Sequence, residues 1–182
     1  YVKSSGIGDT VFFGPEAEFF VFDDVRFDVQ MNKSFFEFSS EEGPYVSGEK
    51  MEEGNWGHRP PQKGGYFPVP PVDSATDLRA EMVTVCAEMG LDMEKHHHEV
   101  APSQHELGFG FGPLTKCADG LQIYKYCVSM VAHSYGKSAT FMPKPVFADN
   151  GSGMHVHQSI WKDGKPTFAG SGYADLSETA LF

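Results

Sequence analysis

Carboxylates and histidines recur in this chain at spacings that would set several of them on one side of an extended strand. In "PEAEFF", Glu16 and Glu18 are two residues apart, and residues so spaced in a strand point the same way. Two carboxylates among aromatics repel unless a cation or a basic group stands between them; the other reading is a solvated strand face. In "EKHHHEVAPSQHE", alternation puts Glu94, His96 and His98 on one side and His97 and Glu99 on the other. Glu106 follows Glu99 by seven residues, beyond a chain reversal at Pro102-Ser103. In "DNGSGMHVHQSIW" a glycine-rich run feeds straight into His155, His157 and Ser159, which share one side if the segment is a strand. Glycines let a backbone turn and come close to a ligand. The stretch reads as a loop that grips an anion, followed by a strand that presents ligands.

Three adjacent histidines raise zinc, but zinc ligands converge from one face whereas neighbours in a strand diverge. Ligation dominated by carboxylates suits the hard cations Mg²⁺ or Mn²⁺, with a histidine better tolerated by Mn²⁺. Four glutamates and His155 could serve two such ions side by side, an arrangement suited to phosphoryl transfer. The residues alone thus point to a divalent-metal site beside an anion-gripping loop, in an enzyme acting on phosphates. Spacing does not supply the substrate.

The elements that must position these groups are legible in outline. Thr10 to Phe22 is rich in aromatic and β-branched residues and reads as one or two strands around Gly14-Pro15, with "VRFDV" and "SFFEF" continuing a meander. Glu41 to Gly65 is polar, punctuated by Gly and Pro, and reads as a long surface loop. A helix of about four turns is predicted after Ser74 as N-cap, stopping at Gly90. Strands over "LDMEKHHHEVA" and "QHELGFGFG" follow. A long helix comes next, its buried stripe formed by Leu121, Tyr124, Cys127, Val128, Val131 and Tyr135. "ATFMPKP" is extended, and "GMHVHQSIWKDGKPTFAG" is a hairpin around Asp163-Gly164. The fold class is α+β, mainly antiparallel. Its 182 residues, 40% hydrophobic with 16 Phe, suffice for one sizeable core. A net charge of −11 argues against a nucleic-acid surface. Cys86, Cys117 and Cys127 form no CxxC pair and no signal-like segment is present, which reads as a reduced, cytoplasmic protein. No apolar run reaches the roughly 18 residues that span a bilayer. A start at Tyr1 and an end in "SETALF", the opening turns of a helix, lead us to expect a fragment.

The motifs "GPEAEFFVFD", "GGYFPVPPVD", "HHHEVAPSQHE", "KSATFMPKP" and "NGSGMHVHQS" resemble, in order and spacing, the catalytic domain of bacterial type I glutamine synthetase, with α-proteobacterial wording near "APSQHELGF". The resemblance runs through residues 1–182 and implies an incomplete catalytic domain. A β-grasp-like N-terminal domain and the C-terminal remainder would lie outside the chain. It implies ATP-dependent ligation of glutamate and ammonia to glutamine, through γ-glutamyl phosphate, with two Mg²⁺ or Mn²⁺ ions. By the family's pattern Glu18, Glu99 and Glu106 would hold one metal beside glutamate, and Glu16 and His155 the other beside the ATP phosphates. Glu94, His157 and Ser159 would contact the nucleotide, Asn150 and Gly151 the glutamate, and Tyr66 with Glu99 the ammonium. The family assembles as two stacked hexameric rings of identical subunits.

Glu99 and Glu106 carry a short form of the turn between them, a difference that spares the ligands. Two other readings are a relative that ligates glutamate to another amine, for which Tyr66 is the discriminator, and a non-catalytic homologue, which would have lost metal ligands. His96, His97, His98 and His105 are expected to support the strands that carry the glutamates. His58 and His133 read as structural. Lys137 and Lys144 are open between phosphate contact and packing.

Overall fold

The computed structural model describes residues 1–44 and 57–182. Its spine is β1 (Thr10–Phe22), a single unbroken strand. Along one edge β1 pairs antiparallel with β5 (Gln104–Phe109) and the short β6 (Gly112–Pro113); along the other it pairs with β8 (Met154–Lys162) and β7 (Ser138–Thr140). β4 (Met93–His98) lies outside β5, and β9 (Lys165–Pro166) outside β8. Every pairing in the sheet is antiparallel, in keeping with the α+β reading. β2 (Asp24–Gln30) and β3 (Lys33–Ser39) make a separate two-stranded sheet rather than a continuation of the main one.

Gly14-Pro15 leaves β1 intact for a geometric reason. The Glu18 N–H donates to Gly153 O toward β8, and the Val21 N–H donates to Ser103 O toward β5. Odd residues therefore direct their nitrogens to the β5 side, where the pairs of β6 and β5 leave residues 14–17 unmatched. Pro15 falls in that gap, so its missing N–H costs no ladder bond.

Alternation along β1 separates two environments. Ala17, Phe19 and Val21 pack against α2 (Thr76–Glu88) and α3 (Leu114–Ser134), with Leu78, Met82, Cys86, Tyr124, Cys127, Val128 and Val131. Burial of each large apolar side chain here contributes about 1.5–3 kcal/mol. On the opposite face Phe20 and Phe22 form a smaller core with Ala101 and Val146, while Glu16 and Glu18 continue the same row. The α3 stripe is as the periodicity predicts, except that Tyr135 caps the helix and is exposed.

Two other expectations are corrected, and one element is new. Ser74 does not cap α2; its hydroxyl donates to Glu42, and Asp73 takes over, accepting from the Ala75 N–H and the Thr76 hydroxyl. The expected surface loop over Glu41 to Gly65 begins with Glu42 buried, and its residues 45–56 lie outside the described part. Val2–Ser5 forms a short helix, α1, that nothing in the sequence flagged. The Asp163-Gly164 turn has φ of 50° and 72°, the double positive value of the tight hairpin turn predicted there. "SETALF" opens α4 (Glu178–Leu181) as read. All three cysteines are free and buried. Among the described residues no helix is long and apolar enough to cross a membrane.

The gap beside Pro15 is closed by α3. The Tyr124 hydroxyl donates to Ala17 O at 2.8 Å and accepts from the Leu107 N–H at 3.3 Å, joining helix to sheet. Tyr124→Phe keeps the ring and leaves both backbone groups buried without their partner. We expect it to lower stability by about 1–3 kcal/mol in denaturant melts, with the circular dichroism spectrum unchanged.

Candidate metal centre and adjoining clefts

Cross-strand register gathers the acidic groups. Glu18 on β1 lies directly opposite Glu106 on β5, and Glu106 directly opposite His97 on β4. Such facing pairs have Cβ atoms about 5 Å apart. Glu99 follows β4, and its N–H donates to Gln104 O at 2.7 Å across the turn. Glu18, Glu99 and Glu106 are thereby brought to one end of the site face. His97, which the sequence reading set behind the strands as a supporting group, belongs to the cluster itself. One ligand atom from each of His97, Glu99 and Glu106 lies within 4.8 Å of the others, and all three residues are buried.

The electrostatics favour a cation here. Burial, and then the Glu18 carboxylate, push Glu99 above its ordinary range. Burial also acts upward on Glu106, but the His97 imidazole outweighs it and brings Glu106 down. Burial would depress His97, and the two glutamates beside it raise it instead. His97 Nε2 stands 3.7 Å from Glu106 Oε1, beyond hydrogen-bond range, and that buried oxygen has no hydrogen-bond partner. Three carboxylates thus face at most one imidazolium. A divalent ion with oxygen-rich ligation would balance the charge and satisfy the orphaned oxygen. The donor set fits a hard cation, and with His97 included it suits Mn²⁺ as well as Mg²⁺.

A second, more open group lies further along β1. Glu16 faces His155 across the β1–β8 register; Glu16 Oε2 is 3.9 Å from His155 Nδ1 and Glu16 Oε1 is 3.3 Å from His157 Nε2. The irregularity of β4 between Met93 and Lys95 takes Glu94 away from His96 and His98, with which simple alternation sets it, and into a cleft of about 210 Å³ with Glu16 and His157. That cleft adjoins a larger one of about 730 Å³ containing His157, Ser159, Phe12, Phe111 and Trp161. Phe12 meets Phe111 and Trp161 edge to face, at centroid distances of 5.8 and 6.4 Å. The aromatic wall was missed in the sequence, although Trp161 extends the alternation of His155, His157 and Ser159.

The loop before β8 reaches the inner cluster. The Gly153 N–H donates to Glu18 Oε2 at 3.0 Å, and a Cβ at Gly153 would stand 2.9 Å from Glu18 Oε1 and displace that carboxylate. Asn150 Oδ1 accepts from Lys63 Nζ at 3.4 Å. Tyr66 is exposed and stands edge-on to His97 at 5.8 Å, beside the inner cluster. Lys137 and Lys144 have packing partners: Lys137 pairs with Asp23, and Lys144 donates to Asp149 O at 2.5 Å. His58 and His133 are exposed.

The glutamine synthetase catalytic-domain family model matches residues 1–182. A glutamine synthetase of Azospirillum brasilense is 69% identical over all of this chain, which spans 39% of that protein. A 3-hydroxylaminophenol mutase of Cupriavidus pinatubonensis is 57% identical over the whole chain, again covering 39% of the relative. The cryo-EM structure of a Plasmodium falciparum glutamine synthetase superposes with a TM-score of 0.86 at 30% identity, over 99% of this chain and 36% of that one. The chain therefore spans about two fifths of the length of these relatives.

Behind the cluster runs a buried polar network that no spacing in the sequence announces. Arg79 grips Asp73 with two nitrogens and donates to the imidazoles of His96 and His105. His98 Nδ1 faces Glu99 O at 2.6 Å and His98 Nε2 faces Glu42 Oε2 at 2.7 Å. Both partners are acceptors, so the ring donates from both nitrogens as an imidazolium and fixes the backbone of Glu99. Burial alone would depress the His98 pKa; Glu42 outweighs it and lifts it above 6.5. A pKa raised by folding gives stability that is fully present below the unfolded value and is lost as pH rises through the folded one. Glu42→Gln should lower the melting temperature most at acidic pH, with the gap to wild type narrowing above 6.5 in a pH scan.

Proposed function

The chain belongs to the glutamine synthetase family, and from that membership we propose that the protein carrying it ligates L-glutamate and ammonia to L-glutamine at the expense of ATP. The observation that carries this reading is the cluster of His97, Glu99 and Glu106, with Glu18 opposite Glu106, on the same sheet as Glu16, His155 and an aromatic-walled cleft. The γ-carboxylate of glutamate attacks the terminal phosphate of ATP to give γ-glutamyl phosphate and ADP, and ammonia then attacks the acyl carbon, displacing phosphate and releasing a proton. Two anions must meet for the first step, and bound Mg²⁺ or Mn²⁺ would supply the charge neutralisation that lets them do so.

Glu18, Glu99 and Glu106 would hold the inner cation, with His97 beside them. Glu16 and His155 would hold the outer one, where phosphate oxygens would complete a set the protein leaves open. Glu94, His157 and Ser159 line the two clefts that would take the nucleotide, and Phe12, Phe111 and Trp161 offer flat apolar surface to its base. Asn150 and Gly151 would seat glutamate beside Glu18. Tyr66 and Glu99 would receive ammonium, a small cation that an ionised Glu99 attracts. Residues 1–182 would be part of the catalytic domain, with a β-grasp-like N-terminal domain and the C-terminal remainder elsewhere in the protein. The full protein would be cytoplasmic and form two stacked hexameric rings, heterologous contacts closing each ring.

Phosphate release from ATP by the full-length protein tests the reading. Release should require glutamate and ammonium together. Glu18→Gln should reduce it by more than about 100-fold, beyond what loss of a group that merely supports a ligand costs. Release that ignores glutamate, or that answers to another amine and not to ammonium, would overturn it.

A further inference from the structure

Gln104 is 1% exposed and lies on β5 two residues before Glu106, on the side of the sheet that carries Glu18. A primary amide has one acceptor oxygen and two N–H donors, and here all three are assigned. Oε1 accepts from the Ala101 N–H at 3.1 Å, which settles which end is the amino group. Nε2 donates to Glu18 Oε2 at 2.5 Å and to Gly151 O at 2.9 Å. One buried side chain thus bridges a carboxylate of the inner cluster and the backbone of the glycine loop. The Gly153 N–H adds a second, direct link from that loop to the same Glu18 oxygen.

We infer that Gln104 is a positioning residue that couples occupancy of the Asn150–Gly151 loop to the orientation of Glu18, so that an amino acid seated on the loop and a cation in the inner cluster strengthen each other's binding. The inference rests on the functional reading given above. Both bonds to Glu18 fall on Oε2, which leaves Oε1 for a cation. A ligand that fixes Gly151 fixes the Nε2 donor, and the donor fixes the carboxylate plane. A cation that fixes Glu18 orders Gly151 by the same bonds in reverse. Linkage requires the two effects to be equal. Gln suits the position because a carboxylate would repel Glu18, and an apolar side chain would leave Gly151 O and the Ala101 N–H without partners.

The test needs no turnover. Mn²⁺ binding to the full-length protein is followed by electron paramagnetic resonance without ATP, with and without saturating glutamate, and glutamate binding by calorimetry with and without Mn²⁺. In wild type each ligand should tighten the other by about fivefold or more. In Gln104→Met that factor should fall to about one, and Mn²⁺ affinity should drop about 10- to 100-fold. Gln104→Glu keeps the size and the acceptor toward Ala101 but sets an acceptor against Glu18 and Gly151 O, and should lose the coupling too; circular dichroism checks that each variant is folded. A role confined to holding the turn would lower stability and leave the coupling factor intact. Coupling that persists in both variants, or is absent from wild type although both ligands bind, overturns the inference alone. Wild type that binds neither Mn²⁺ nor glutamate overturns the functional reading, and this inference with it.

Discussion

Glu18, Glu99 and Glu106 stand together at one end of the site face, two of them buried, with one imidazole among them. Left to themselves these groups would move apart or take up protons, since desolvated like charges cannot all stay ionised. The surrounding structure prevents the first response. Two of the three sit on adjacent strands in fixed register, and the third is held by its backbone through His98. The second response is only partly available, because His97 pulls Glu106 down while Glu18 pushes Glu99 up. The result is a site whose charge a bound cation would balance. The buried network of Arg79, Asp73, His105, His98 and Glu42 is the framework that holds it. The charged groups among them are paired, Arg79 with Asp73 and His98 with Glu42, as the low polarizability of their surroundings demands.

One strand sorts the whole molecule. Odd residues of β1 from Ala17 to Val21 enter the core under α2 and α3; even residues run from Phe12, through Glu16 and Glu18, to Phe20 and Phe22. The even side changes character along its length, from an aromatic cleft, to open carboxylate and imidazole, to buried carboxylates, to a second apolar cluster. A substrate laid along this face would meet those environments in a fixed order. Placement on strands rather than loops keeps that order rigid, and the gap beside Pro15 is closed by Tyr124 instead of by another strand.

The parts read correctly from the sequence were those set by periodicity. Alternation placed His97 with Glu99, and His155 with His157 and Ser159; the 3.6-residue period found α3; Asp163-Gly164 found its turn. Partners distant in sequence were not visible. Nothing near Glu42 predicts that it bonds His98, 56 residues later. Ser74 failed as a cap because Glu42 claims its hydroxyl, leaving Asp73 to bond the start of α2. His97 was set aside because neighbouring histidines diverge. That rule holds here, since His96 and His98 turn toward Arg79 and Glu42, but it does not exclude a single histidine, and His97 joins Glu99 on the side where alternation sets both. The metal-site roles and the substrate came from the resemblance, because spacing fixes faces and not identities.

The inner and outer groups differ in a way that bears on how each could work. The inner cluster supplies several buried donors and an oxygen with no hydrogen-bond partner, so the protein provides most of what a cation needs. The outer group supplies Glu16 and two histidines whose side chains are about three-quarters exposed at 75% and 74%. Exposed imidazoles lose little by remaining hydrated and hold no fixed geometry alone. A cation with a further ligand in the adjoining cleft would give their arrangement definition. A buried cluster around Glu18 and an open one around Glu16, two residues apart on β1, would suit one resident cation and a second that arrives with its phosphate.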